Sequence, residues 1–255
     1  MITIKTPEEI KILHEGGKRL AAILDEVAEE AKPGTATIEL DELAEKLIRE
    51  NGGEPSFKNY KTSQDKIPFP ASLCVSINDE IVHGIPRRDR ILKEGDIVGL
   101  DLGMKYKNLY TDMTITVGVG KIDKEGKKLM EVAEKSLVEG VRVVREGNCI
   151  GDIGFSIQEY VERNGFNVVR NLVGHGVGYK AHEEPEIPNF GKKGTREILK
   201  SGMILALEPM ITAGSPDIVL DNDNWTWKTK DGSLSAHFEH TVAVTKTGAE
   251  IITCV

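Results

Sequence analysis

The chain has 255 residues, 39% apolar and 29% charged, a composition that excludes a disordered, fibrous or membrane-spanning protein. Its 33 Lys and Arg against 41 Asp and Glu leave a net charge of -8, which disfavours a general hold on nucleic-acid phosphates or anionic membranes. Three cysteines, Cys74, Cys149 and Cys254, are widely separated and form no C-x-x-C pair, so a disulfide framework and a zinc finger are excluded and a reducing, cytoplasmic compartment is expected.

In chain order, the first expected element is an amphipathic helix opened by Pro7-Glu8-Glu9, with Ile10, Leu13, Leu20, Ile23, Leu24 and Val27 at helical spacing. It lacks the apolar centre of a secretion signal, and no later apolar run approaches the roughly 18–20 residues of a membrane span. His14 on this helix is expected to be an ordinary, partly exposed residue. A second helix within 33–52 ends at Asn51-Gly52, a C-cap pair. Residues 53–72 show no periodicity and are expected to form a surface loop. Two alternating strands follow, Ile97–Leu102 and Asp112–Val117, joined by a hairpin turning through Lys105 to Asn108.

The remainder repeats this order. Residues 33–52 read against 146–165 at a constant offset, pairing Gly34 with Gly147 and Asn51-Gly52 with Asn164-Gly165. EGDIVGLDL (94–102) reads against SGMILALEP (201–209), placing Asp101 opposite Glu208, and TDMTITV (111–117) reads against FEHTVAV (238–244), placing Asp112 opposite Glu239. His-Gly at 83–84 reads against His-Gly at 175–176. The expectation is an α+β fold in a single domain, 1–255, of two pseudo-symmetric helix-helix-strand halves, about 1–121 and 122–255.

Alternation puts Asp101 on the face of Ile97 and Gly99 in an otherwise apolar strand, and Asp112 with Thr114 and Thr116. A hairpin would bring the two carboxylates together on one face, a destabilising arrangement unless they are neutralised. A lone strand carboxylate usually faces solvent, but recurrence at equivalent places in both halves argues otherwise. Four acids carry about -4, which two divalent cations would cancel. Paired carboxylates can also serve metal-free acid–base chemistry, but four with a nearby histidine suit two metals better, and oxygen-rich ligands with one imidazole favour Mn, Fe(II) or Co over structural zinc. His83 and His175 are raised above ordinary structural histidines by their equivalent places. His240, opposite Met113, should point away from the face of Glu239. A Cys74–His83 nucleophile pair lacks a third group, and no nucleophile elbow or phosphate-binding loop is present.

The segments NDEIVHGIP, LDLG, TDMTITV, GHGVG, HEEP, LALEPM and AHFEHTVAV, spread over nearly the whole chain, resemble the short type I methionine aminopeptidases. That resemblance implies the pita-bread fold of the creatinase/aminopeptidase group, folded around a dinuclear centre. It makes Asp101, Asp112, His175, Glu208 and Glu239 ligands of two divalent ions (Co, Mn, Fe(II) or Zn), with Asp112 and Glu239 shared. It further implies hydrolysis by a water bridging the ions, with Glu208 as proton shuttle, His182 at the carbonyl or developing oxyanion and His83 at the scissile nitrogen. Phe69, Cys74 and Trp225 would line the methionine pocket. The implied substrates are N-termini of nascent polypeptides with a small second residue, met near the ribosome exit by a monomeric enzyme. Three departures from the family pattern bear on the pocket: an expanded loop at 62–66, Ala181 before the HEEP histidine, and His237 where Gln is expected. The rivals are an Xaa-Pro aminopeptidase or prolidase, against which the length argues, and a non-catalytic peptide-binding module, against which the complete ligand set argues.

Overall fold

A computed structural model describes residues 1–63 and 66–255. The first half runs α1 (Pro7–Glu29), α2 (Thr37–Glu50), β1 (Glu54–Pro55), β2 (Leu73–Ile77), β3 (Glu80–Val82), β4 (Ile97–Tyr106) and β5 (Leu109–Gly118). The second runs α3 (Lys124–Arg142), α4 (Ile150–Arg163), β6 (Asn167–Val168), β7 (Val173–Gly176), β8 (Glu183–Pro188), β9 (Ile204–Leu207), β10 (Met210–Thr212), β11 (Ile218–Leu220), β12 (Trp227–Thr229), β13 (Ser235–His237), β14 (Glu239–Val244) and β15 (Ala249–Ile251).

The repeat is visible in how the helices begin and end. The first helix of each half is capped by a side chain: Thr6 accepts from the Glu9 amide at 3.3 Å, and Asp123 accepts from the Gly126 amide at 2.7 Å. The second helix of each half has no capping side chain at Ala36 or Cys149. A carboxylate three residues on reaches back instead, Glu39 to the Ala36 amide at 2.9 Å and Asp152 to the Cys149 amide at 2.7 Å. Both second helices close alike. The Asn51 and Asn164 side chains donate to carbonyls four residues back, at 2.9 and 2.8 Å, and Gly52 and Gly165 leave with φ of +75° and +86°.

The main sheet runs β1-β4-β5-β14-β9-β7-β8, with β2 also on β4 and β15 also on β14. Its centre, β2-β4-β5 meeting β14-β9-β7, reads the same from either side of the seam, as two copies related by a twofold axis must. Alternation then assigns the faces. Val98, Leu100, Leu102 and Met104 of β4 pack under α1 and α2 in one apolar core, and Leu205, Leu207, Val242 and Val244 pack under α3 and α4 in another. Asp101, Asp112 and Glu239 have the opposite parity on β4, β5 and β14 and turn to the other face of the sheet.

The seam has little backbone pairing, Glu239 with Thr114 and His240 with Met113, and is reinforced by threonines. Thr241 Oγ1 donates to the Asp112 carbonyl at 2.8 Å and accepts from its amide at 2.9 Å, and Thr116 Oγ1 exchanges the same two bonds with His237 at 2.7 and 3.0 Å. These bonds fix the backbone on either side of the acidic side chains. His14 sits as expected at the surface, 3.3 Å from Glu250. Among the described residues no helix is long and apolar enough to cross a membrane.

Candidate metal centre and its pocket

All five residues expected to hold metal are buried and converge on one cavity of about 330 Å³. Asp101, Asp112, His175 and Glu239 stand on β4, β5, β7 and β14, whereas Glu208 lies one residue beyond β9, where Pro209 supplies no amide to continue the ladder. Asn189 fixes that turn by donating to the Glu208 carbonyl at 3.0 Å. The expected hairpin needs one correction. Its turn is the two residues Lys107-Asn108, both with positive φ, which sets Asp101 opposite Thr114 and Asp112 opposite Gly103. The two aspartates share a face as expected but are diagonal neighbours rather than directly opposed.

The charges do not balance within the protein. Burial pushes the Asp101 carboxyl up to about 7, and burial followed by the neighbouring carboxylates pushes Asp112, Glu208 and Glu239 well above their usual range. Asp101 Oδ1 and Glu239 Oε1 are buried without a hydrogen-bond partner, while Glu239 Oε2 accepts from Thr114 Oγ1 at 2.8 Å. His175 Nδ1 lies 2.9 Å from the Gly176 carbonyl, which only accepts, so Nδ1 carries the proton and the Nε2 lone pair points inward. That lone pair faces Glu208 Oε1 at 3.5 Å, and burial, then the His182 ring, lowers the imidazole to about 3. A lone pair and a carboxylate in that position call for a proton or a metal cation between them. Donor atoms of Asp112, His175 and Glu239 lie within 4.8 Å of one another, close enough to share one ion. Unpartnered oxygens, an inward lone pair and four buried acids fit divalent metal, with oxygen and imidazole ligands.

The rest of the cavity is apolar and aromatic. Phe69 meets Trp225 edge-on at 5.3 Å, and Phe57, Ala71 and Cys74 complete the cluster. All three residues expected to line a methionine pocket therefore do line the cavity. Cys74 pairs with Asp101 across β2 and β4; burial, then the charges of Asp101 and Asp112, raises its thiol, which removes the thiolate a nucleophile would need. His83 follows β3 with φ +60° and stands against Trp225 at 5.9 Å, while His182, in the turn before β8, lies 4.2 Å from the His175 ring and 4.9 Å from Tyr60. The glycine after each His-Gly histidine is required by packing: a Cβ on Gly84 would meet the Val75 carbonyl at 2.2 Å, and one on Gly176 the Glu184 carbonyl at 2.2 Å. His240 turns away as expected, bonding Thr253 at 3.0 Å on the helix side of the sheet.

The stretch 53–72 is in part the exposed loop expected, but it has a second role. Glu54–Pro55 pairs with β4, and the Asn59 and Phe69 amides donate to the carbonyls of Phe69 and Tyr60, so the segment doubles back and forms a wall of the cavity. Phe57, Tyr60, Thr62 and Val82 line the site and were not anticipated; three aromatics in a stretch without periodicity were the available signal. Of the expanded loop 62–66, positions 64 and 65 lie outside the described residues. Ala181 is buried outside the cavity lining, and His237 is buried with Nε2 at 3.7 Å from Glu208 Oε2.

Comparison with known proteins places this geometry in a class. Residues 11–246 match the model of metallopeptidase family M24. The methionine aminopeptidase of Thermotoga maritima is similar in structure, with a TM-score of 0.96, 42% identity and full coverage of both chains. Methionine aminopeptidase 1 of Bacillus subtilis is 46% identical over 99% of each chain, and the Escherichia coli methionine aminopeptidase is 38% identical over 99% of this chain and 94% of its own. The prolidase of Pyrococcus horikoshii, at 22% identity and a TM-score of 0.78, shares the fold over 63% of its length. The chain belongs to metallopeptidase family M24, in its methionine aminopeptidase branch. The pita-bread architecture, the hydrolase class and the divalent-metal requirement follow from that membership.

Proposed function

We propose that this protein removes the N-terminal methionine from peptides and nascent proteins whose second residue is small. The observation that carries the reading is a single cavity in which an acid-rich centre opens directly onto a wall of Phe57, Phe69, Cys74 and Trp225. An unbranched thioether suits sulfur and aromatic faces, and a substrate held there presents its first peptide bond to the acids. The two halves work as one catalytic domain, because the acids come from strands on both sides of the seam.

Asp101, Asp112, His175, Glu208 and Glu239 would hold two divalent ions, with Asp112 and Glu239 placed on adjoining strands to be shared. Bound there, the ions would neutralise the four acids and acidify water enough for it to attack an amide at neutral pH. The protein's own groups do the rest. Glu208, bracketed by His175 and His237, takes the proton from the attacking water and passes it to the departing amine. His182, on the side of the cavity open to solvent, donates to the carbonyl oxygen as negative charge develops. His83, fixed against Trp225, orients the scissile nitrogen. The aromatic wall excludes water from the methionine side chain.

A monomer acting in the cytoplasm near the ribosome exit is the setting we infer for it. Methionine release from a Met-Gly-initiated peptide by chelated protein, before and after Mn(II) or Co(II), tests the reading, with an Xaa-Pro peptide in parallel. Metal-dependent release of methionine alone is expected. Cleavage of only the Xaa-Pro peptide would move the chain to the prolidase branch, and silence toward both peptides with metal bound would make it a peptide-binding module.

A further inference from the structure

Outside the cavity one carboxylate, Glu183, the residue after His182, accepts four hydrogen bonds. Its Oε1 accepts from the Tyr179 and Lys180 amides at 2.5 and 2.9 Å, which closes the turn over residues 179–183 from within. Its Oε2 accepts from Lys5 Nζ at 2.8 Å and from Thr3 Oγ1 at 2.5 Å, which ties the same turn to the start of the chain. Both side chains are removed from solvent, Lys5 1% and Glu183 6% exposed. The lysine stem runs against Gly178, where an added Cβ would lie 2.3 Å from it, and its ammonium sits 4.8 Å from the Tyr179 ring. The Tyr179 hydroxyl reaches Glu9 of α1 at 2.9 Å, and the Lys5 amide donates to the Gly202 carbonyl at 2.8 Å. A segment from the beginning of the first half is thereby clasped to the second half at the turn that carries His182.

We propose that Lys5 is a positioning residue of the active site, which through Glu183 holds the turn 178–183 so that His182 stands beside His175. The proposal rests on the reading of His182 given above. The argument is one of alternatives. A surface turn of six residues, 178–183, with a glycine at φ +137° has many conformations, and one carboxylate bonded to four donors from two distant segments selects one of them. A buried ion pair contributes little net stability compared with apolar packing, so its value lies in that selection. His182 itself is exposed and meets the His175 and Tyr60 rings at tilts of 49° and 47°, contacts that orient the ring only while the backbone beneath it is fixed.

The test is a pair of variants read by kinetics and by hydrogen exchange. Lys5→Met in the Mn(II)-loaded protein is expected to lower kcat on a Met-Ala-initiated peptide about 10- to 100-fold with a much smaller change in KM, while the metal-free form takes up Mn(II) with unchanged stoichiometry and affinity. In a His182→Ala background the same substitution is expected to lower kcat by less than about twofold, because the group it positions is gone. Equal losses in both backgrounds, unchanged kcat, or loss of Mn(II) binding would overturn the proposal. If Lys5→Met does not fold, the neutral pair Lys5→Met/Glu183→Gln goes through the same cycle with the same criteria. Amides of 178–183 in the metal-free Lys5→Met variant should exchange at least about tenfold faster, with those of α3 unchanged, and equal exchange would count against the clasp. This last measurement needs no turnover, so a wild-type protein that cleaves no peptide would refute the proposed function while the clasp is still decided.

Discussion

The two ends of the cavity are built in different ways. The acidic end stands on paired strands: Asp101, Asp112 and Glu239 take their direction from the registers of β4, β5 and β14, and threonines of the seam bond the backbone that carries them. Apart from Cys74 of β2, the apolar end is assembled from connections, the doubled-back 53–72 segment and the turn bearing Trp225, which meet edge to face rather than in a ladder. Strand register leaves an acid no freedom to retreat from its neighbours, which suits a site whose charges must be held together. A wall of loops can alter its shape without moving those charges. The chemistry is therefore expected to be intolerant at one end and adjustable at the other.

Breaking the strand-built end should give the largest effect. Asp112→Asn or Glu239→Gln is expected to lower kcat/KM at least about a thousandfold, with fewer ions bound per chain by metal analysis and an unchanged circular dichroism spectrum. The raised carboxyls also predict how the metal-free protein responds to pH. A carboxyl raised in the folded state contributes stability that is lost as pH rises from its unfolded value through its folded one, about 7 for Asp101 and higher-than-usual values for its three neighbours. His175 and His237, lowered to about 3, oppose this only below their ordinary value of 6.5. Melting temperature of the chelated protein should therefore fall as pH rises through about 7, and saturating Mn(II) should suppress most of the fall; a flat profile without metal would contradict the charge argument.

Loosening the loop-built end should act on selection rather than on chemistry. Phe69→Ala is expected to raise KM for a methionyl peptide about tenfold and to reduce its preference over a leucyl peptide, with kcat and bound metal nearly unchanged. The smallest effect sharpens a second comparison, between the halves. Gly52→Ala and Gly165→Ala introduce the same left-handed strain at equivalent helix ends, and each should destabilise by about 1 kcal/mol in denaturant titration, equal within about 0.5 kcal/mol. Clearly unequal values would show that the halves carry different loads.

Legibility in the sequence followed the same division. Asp101, Asp112, Glu208 and Glu239 could be singled out because a repeat places acids at equivalent positions of alternating segments, and alternation is a property of the strand itself. The diagonal placement of the two aspartates was not readable, since it depends on whether the turn holds two residues or four, and Lys107-Asn108 carries only half of a familiar turn signal. Phe57, Tyr60 and Thr62 were hidden for a deeper reason. Their segment is given shape by contacts with β4 and with its own return path, and no local period records a contact of that kind. Lys5 carries no local signal at all, because its partner lies in the other half of the chain.

That separation has a consequence in time. Lys5 and Glu183 are 178 residues apart, and at roughly 5 to 20 residues per second a growing chain makes the second about 9 to 36 s after the first. Throughout that interval the first half, with its own helices and strands, can gather its apolar core while the lysine that will be sealed from water remains hydrated and uncommitted. The last partner to arrive brings the catalytic turn with it. Synthesis of the chain thus runs ahead of its competence, and an unfinished copy has no closed His182 turn with which to act on its neighbours.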